Sequence, residues 1–227
     1  MPELHTKQFP NEDGLYRDAR NKLLDEEIAL RRHTERVAQM RRELPLGGKL
    51  KEDYIFEEMT SGEKRRVKLS ELFASGKNTL VIYSMMYHPD DENACSSCTS
   101  IVDGLDGAAP HILDKINFVV VTKAPIEKTL QWADGRGWKN VRLLSSNSNT
   151  YNRDYFAESD KGGQMPILNV FAKTPDGIFH TYATELLFAP ADPGQNHRHV
   201  DIIWPVWNMF DYTPEGRGTD WYPKFKY

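Results

Sequence analysis

The stretch Thr79–Met86 (TLVIYSMM) constrains the fold more than any other part of the chain. It has the length of a strand, carries no charge and does not alternate with polar residues. A strand of that kind is buried on both faces, which calls for helices above and below a largely parallel sheet. The stretches that follow agree with this. Residues 96–114 are compatible with a helix, although Gly104 and Gly107 weaken it. Phe118–Thr122 (FVVVT) reads as a second buried strand, and Pro125–Asp134 (PIEKTLQWAD) as a helix with proline in its first turn. Val141–Leu144 is a third strand. After a loop around Asn147–Asn152, Ile167–Ala172 (ILNVFA) and Ile178–Thr184 are a fourth and fifth, joined by a turn at Pro175-Asp176-Gly177. Strand–helix–strand–helix–strand, closed by an antiparallel hairpin, predicts an α/β fold with a mixed sheet flanked by helices.

Two appendages flank this core. From Leu15 to Leu44 there is no Pro or Gly, and Leu15, Ala19, Leu23, Leu30, Val37, Met40 and Leu44 recur near helical spacing. A helix of that length is a rod of about 45 Å. Its other faces carry eight basic and six acidic residues, and Pro45 with Gly47-Gly48 ends it. Such an amphipathic helix is expected to pack on its own domain; the sharper alternative is a homodimer formed through Leu15–Leu44. Residues 49–78 hold a further hairpin, Asp53–Phe56 against Arg66–Leu69 around Thr60-Ser61-Gly62. Leu69–Phe73 then reads as a short helical turn capped by Ser70. The last segment is rich in Pro, Gly, Trp and Tyr. Within it Ile202, Ile203, Val206, Met209 and Phe210 fit one helical face, with Pro205 starting or kinking the helix. Three parts follow: a tail and long helix over 1–48, the α/β domain over 49–188, and an aromatic extension over 189–227.

Composition narrows the function. With 29 basic and 33 acidic residues the net charge is −4, which argues against a nucleic-acid partner. No stretch reaches the roughly 18 to 20 apolar residues of a bilayer span, so no membrane partner is expected. Met1–Thr6 shows no basic region followed by an apolar run, so no secretory leader is expected and the cytosol is the expected compartment. No glycine-rich phosphate loop is present, so no nucleotide is implied.

The chemistry lies in Cys95-Ser96-Ser97-Cys98, the chain's two cysteines, just after the TLVIYSMM strand and at the start of a helix. Backbone N–H groups and the helix dipole stabilise a thiolate there. The i, i+3 spacing places both sulfurs on the first turn. Cys95 is then the exposed nucleophile and Cys98 the resolving thiol of a dithiol–disulfide exchange. A zinc site would need four ligands where the pair supplies two. His88, His111, His180, His197 and His199 are the other candidates, only His197 and His199 being closely spaced, and no metal is expected. His88, seven residues before Cys95, is a possible modulator of the thiolate. Trp132, Trp138, Trp204, Trp207 and Trp221 read as packing residues, although so aromatic a tail also suits the cover of a substrate groove.

These features together resemble the thioredoxin-like superfamily. More narrowly, the chain is similar to the bacterial family called domain of unknown function 899, whose members are labelled predicted dithiol-disulfide isomerases. The resemblance runs through ARNKLLDEEIALRRHTERVAQMRRELP, KEDYIFE, VKLSELF, TLVIYSMMYHPDDENACSSCTS, DGLDGAAPHI and DYTPEGRG. It implies that Cys95 and Cys98 are the redox pair. It also implies that Met165-Pro166, just before ILNVFA, is the turn beside them that shapes the substrate groove, the place of a cis-proline in thioredoxin-like folds, with the isomer here left open by the sequence and the backbone of Met165 free to pair with a bound peptide. Relatives of this kind carry Pro inside the CxxC loop, where this chain has Ser96 and Ser97. The expected function is thiol–disulfide exchange with a protein or small-thiol substrate, with no cofactor but an external electron donor. Two rivals are a peroxiredoxin-like peroxide reductase and a non-catalytic thioredoxin-fold interaction module. Against the first, peroxiredoxins resemble Pro-x-x-x-Thr-x-x-Cys, whereas here Glu92 stands three residues before Cys95 and Pro89 six.

Overall fold

The structure is a computed structural model that describes residues 5–227; the start of the expected tail, and most of the segment read for a leader, lie outside the described residues. The chain divides into two units, Met1–Pro45 and Leu46–Tyr227. The aromatic segment 189–227 is therefore part of the second unit.

The first unit is the helix α1 (Gly14–Glu43). Asp13 caps it by accepting the Tyr16 N–H at 2.7 Å. Arg41 and Arg42 in its last turn complement the helix dipole. None of its residues is buried, and Leu15, Leu23, Leu30 and Met40, expected to form a packed stripe, are all exposed. Of the expected stripe only Val37 is partly covered; the other partly covered apolar positions are Leu24, Ile28 and Ala38. Its i, i+4 and longer polar pairs, such as Gln39 with Glu43 at 2.6 Å, hold the surface instead.

The second unit is built on one mixed sheet of seven strands: β1 (Ile55–Thr60), β2 (Glu63–Lys68), β3 (Thr79–Ser84), β4 (Asn117–Thr122), β5 (Leu143–Ser145), β6 (Ile167–Thr174) and β7 (Gly177–Ala183). Their order is β2-β1-β5-β4-β3-β6-β7. β3, β4 and β5 run parallel, while β6 is antiparallel to β3 and β7 to β6. The helices α2 (Ser96–Lys115) and α3 (Ile126–Arg136) make the two crossovers, a short helix α4 (Tyr151–Asp154) follows β5, and α5 (Pro205–Phe210) lies in the last segment. A β-α-β unit with an antiparallel pair added beside its first strand is the thioredoxin-like arrangement expected from the sequence.

Side-chain alternation splits the core in two. Tyr83, Phe118 and Val120 join α2 and the C-terminal tryptophans on one face. Leu80, Ile82, Val119, Val121 and Phe171 join Tyr54, Phe56 and Tyr151 on the other. β4 is buried along its whole length, as an unbroken apolar run demands. α2 survives Gly104, Gly107 and an internal Pro110 because Cys98, Ile101, Val102, Leu105 and Ala109 bury one face against the sheet.

Three local expectations change. The first hairpin pairs further along, Ile55 with Lys68 through Thr60 with Glu63, because Ser61 (φ 53°) and Gly62 (φ 83°) close a two-residue turn. Ser70 does not cap the Leu69–Leu72 turn; Glu71 accepts the Lys68 N–H at 2.7 Å, and both Ser70 groups bond Asp53. Between residues 200 and 212 the buried residues are Val200, Trp204 and Trp207, whereas Ile202 is 78% and Met209 63% exposed. The tryptophans carry far more apolar area than the aliphatics and take the inward positions. Pro205 is the first residue of α5, where a missing N–H costs nothing.

The buried carboxylate of Asp106 ties α2 to the approach of β5. Its Oδ1 accepts the backbone N–H groups of Lys139, Asn140 and Val141 at 3.0, 2.7 and 3.0 Å. Asp106→Ala leaves those donors without partners and is expected to cost about 3 kcal/mol, read as a lower urea midpoint at unchanged slope.

Candidate active site

Cys95 is the N-cap of α2. The loop between β3 and α2 holds it there by a bond from the Cys95 N–H to the Met86 carbonyl at 3.1 Å. Its own carbonyl accepts both the Thr99 N–H at 2.9 Å and the Thr99 hydroxyl at 2.8 Å. Trp132 Nε1 then donates to Thr99 Oγ1 at 3.2 Å, so α3 buttresses the first turn. The capping atom is sulfur rather than oxygen: the Cys98 N–H donates to Cys95 Sγ at 3.5 Å.

Both cysteines are free thiols, Cys95 partly exposed and Cys98 buried at 1% exposure. The two are electrostatically opposed. Hydrogen bonding from the Cys98 thiol, with the N–H groups of Cys98 and Ser97, pulls the Cys95 thiol down to about 6 against the opposing effect of burial. Its hydrogen bond to Cys95, then burial, then the charge on Cys95 hold the Cys98 thiol well above its ordinary value. One sulfur is ready to attack and the other keeps its proton.

Behind Cys98 lies Tyr83 of β3. The phenol is fully buried and its hydroxyl makes no well-formed hydrogen bond. It stands against the Cys98 sulfur, close enough to act as a donor to it. Burial keeps Tyr83 protonated well beyond its ordinary range, so it remains a donor.

Two openings reach the pair. Cys95 lines a polar cavity of about 610 Å³ with His88, Asp91, Asn93, Lys161 and Gln164. Cys98 lines a smaller apolar chamber of about 180 Å³ with Ile101, Pro166, His199 and Trp204. The C-terminal segment roofs that chamber, with Trp204 Nε1 donating to Ser100 Oγ on α2 at 3.1 Å.

The sequence-derived candidates are therefore placed as follows. Cys95 and Cys98 come together as read. Pro166 stands across the chamber from Cys98. No cis peptide bond occurs among the described residues, so Met165-Pro166, whose isomer the sequence leaves open, is trans. The Met165 N–H is not free for a peptide, because it already donates to the Ala157 carbonyl at 2.8 Å. Met165 is not among the residues lining either opening. His88 shares the Cys95 cavity, but its Nδ1 accepts the Asp90 N–H at 3.2 Å and so serves the loop. His197 and His199 donate to the carbonyls of Ala189 and Pro166 at 2.9 and 3.0 Å. Among the described residues no three His, Cys, Asp or Glu side chains gather as a metal site would require. No helix among them is long and apolar enough to cross a membrane.

Sequence reading missed Tyr83, Lys161, Gln164 and the roofing role of His199, while the cover that Trp204 gives the chamber is the alternative offered for the aromatic tail. For Tyr83 a signal existed. It is the one phenol in an apolar strand, and strand parity puts it on the face that α2 covers.

The pH profile of alkylation checks the pair. Reactivity of Cys95 is expected to rise through about pH 6 and to be flat above neutrality, as read by mass spectrometry of iodoacetamide adducts. Cys98→Ala removes the largest stabilising contact, so the midpoint moves up toward that of an ordinary thiol near 8.5.

Several solved structures resemble this chain. Enterococcus faecalis AhpC is 15% identical, with a TM-score of 0.47 over 74% of this chain and 93% of that one. Plasmodium yoelii thioredoxin peroxidase I is 14% identical, with a TM-score of 0.46 over 79% and 100%. A peroxiredoxin Q of Xanthomonas campestris is 13% identical, with a TM-score of 0.46 over 72% and 96%. No curated protein matches the sequence. The family described as "Bacterial protein of unknown function (DUF899)" matches residues 6–227, and the chain belongs to that family.

Proposed function

We propose that the protein is a thiol–disulfide oxidoreductase that uses Cys95 and Cys98. The observation that carries this reading is the sulfur of Cys95 acting as the cap of α2, with the Cys98 thiol and N–H both directed at it. A disulfide substrate enters from the polar cavity. The Cys95 thiolate attacks one of its sulfurs, the substrate S–S bond breaks, and the leaving thiolate takes a proton from water. A mixed disulfide on Cys95 results. Cys98 then attacks Cys95 Sγ, its proton passing to the departing substrate thiolate. The second substrate thiolate leaves, and the Cys95–Cys98 disulfide carries the two electrons' worth of oxidation. An external dithiol restores the reduced pair.

The second attack is the harder one, because Cys98 must ionise where burial opposes it. Tyr83 meets that need as a positioning residue. Its hydroxyl, without a well-formed bond in the reduced state, gains a strong acceptor when Cys98 becomes a thiolate. Cys98 is itself buried, which limits the water that reaches that sulfur. Lys161, His88, Asn93 and Gln164 around Cys95 suit a polar disulfide better than an apolar one.

Redox titration by alkylation and mass spectrometry tests the function. The expected result is one reversible disulfide with a potential between about −120 and −270 mV. A pair that never closes would leave a binding module. Cys98→Ser is expected to hold the substrate as a mixed disulfide on Cys95. Rapid consumption of hydrogen peroxide, with dimedone capturing a sulfenate on Cys95 in that variant, would replace disulfide exchange by peroxide reduction.

Tyr83→Phe separates the two steps. Cys95 alkylation is expected to stay within about twofold of the parent, while resolution of a preformed mixed disulfide slows about tenfold, one hydrogen bond to a charged group being worth about 1.5 kcal/mol or more. The pH at which resolution is half-maximal moves up.

A further inference from the structure

A second cavity, of about 710 Å³, lies on the opposite face of the sheet from the cysteines. Strand parity fixes this. Ile167 and Asn169 share the face of Phe171, which belongs to the other core layer, while Leu168 between them packs toward Cys98 and α2. Its volume falls in the range of sites that bind small molecules, about 300 to 1,000 Å³.

The floor is built from Asn169, buried at 1% exposure, and His180. The Asn169 amide nitrogen donates to the Tyr155 carbonyl at 3.3 Å. Its oxygen is thereby the group that faces His180 Nε2 at 2.9 Å. An amide oxygen only accepts, so the imidazole proton sits on Nε2. Burial holds His180 below its ordinary value, with Glu185 opposing, so the ring is neutral at physiological pH. Nδ1 is then a lone-pair acceptor, and no hydrogen bond reaches it among the described residues.

The walls and mouth are aromatic. The Tyr155 ring lies 5.5 Å from that of His180. Phe156 and Phe188 meet edge to face at 5.9 Å, and stay 65% and 49% exposed. Phe156 has a φ of +56°, which a bulky residue adopts only at a cost. The following N–H groups, of Ala157 and Glu158, both donate to the Asn152 carbonyl, at 2.7 and 2.9 Å, and fix it there. The strained backbone thus holds an exposed ring at the rim of a cavity. The charges nearby cancel: Lys51 is bonded to Asp154 at 2.6 Å, and Lys49 and Glu185 are one of each sign.

We propose that this cavity binds an uncharged planar aromatic molecule bearing one hydrogen-bond-donating hydroxyl, a phenol being the simplest, with its ring among Tyr155, Phe156 and Phe188 and its hydroxyl on His180 Nδ1. Nothing in this assignment depends on the chemistry of Cys95 and Cys98.

Titration calorimetry of the full chain near neutral pH tests it, with 2-naphthol and 2-methoxynaphthalene as probes. The two share size and shape and differ in the donor. The naphthol is expected to bind one site, and its methyl ether about fivefold more weakly, the net value of one neutral hydrogen bond. His180→Phe is expected to erase that ratio, and Phe188→Ala, at an exposed rim position that leaves the fold intact, to weaken both probes. Long-range ¹H–¹⁵N spectra are expected to show the His180 Nδ1 resonance moving with naphthol alone. Absence of saturable naphthol binding, equal binding of the two probes to the parent protein, or naphthol binding untouched by Phe188→Ala would each overturn the proposal. Should His180→Phe fail to fold, the parent's naphthol-to-ether ratio and Phe188→Ala decide it.

Discussion

A sulfur in the place of a capping oxygen sets the terms for most of this molecule. The first turn of any helix has N–H groups without intrahelical partners, and here Cys95 Sγ is what they find. The contact works in both directions. The thiolate satisfies the helix, and the helix stabilises the thiolate. For this to hold, α2 must begin at Cys95 and nowhere else. The Met86 carbonyl and the doubly bonded carbonyl of Cys95 define that point, and the buried face from Cys98 to Ala109 prevents the helix from shifting. Asp106, one turn before the end of that face, anchors α2 to the segment entering β5. The chemistry at one end of the helix and the packing at the other are parts of a single constraint.

Much of this was legible in the sequence, and the reason is periodicity. TLVIYSMM and FVVVT have too few polar residues to be anything but central strands, and two such strands with a helix between them have few ways to pack. A CxxC placed right after the first of them falls at a helix start by the same logic. The mixed sheet followed because Pro175-Asp176-Gly177 allows only a tight turn between ILNVFA and its partner.

What stayed hidden depends on long-range contacts or on competition between equals. The apolar stripe of α1 gave a face, yet Leu15, Leu23, Leu30 and Met40 are exposed, because repetition at helical spacing says which residues align and not what covers them. In the last segment the aliphatics and tryptophans competed for one interior, and area decided for Trp204 and Trp207. The state of Met165-Pro166 could not be inferred from motif order, since a bond from the Met165 N–H to Ala157, eight residues back, organises that turn. Lys161 and Gln164 enter the Cys95 cavity from a loop more than sixty residues away in sequence, and no local pattern announces such a neighbour.

β6 is where the two faces of the molecule meet. Pro166, at its entry, borders the chamber of Cys98, and its carbonyl is held by His199 at 3.0 Å. Leu168 pairs in register with Tyr83 and packs toward the thiols. Ile167 and Asn169, the alternate residues, border the second cavity. A strand has no freedom to turn one set of side chains without turning the other. Leu168, which stands opposite Tyr83, therefore lies between two residues that border the cavity on the other face. The antiparallel partner β7, which carries His180, pairs with β6 across a bulge that lies between the Val170–Tyr182 and Phe171–His180 pairs. Bulges of this kind re-aim side chains locally while the ladder beyond them holds its register. The two sites are thus bordered by neighbouring residues of one strand and its entry, Pro166 on one face and Ile167 with Asn169 on the other.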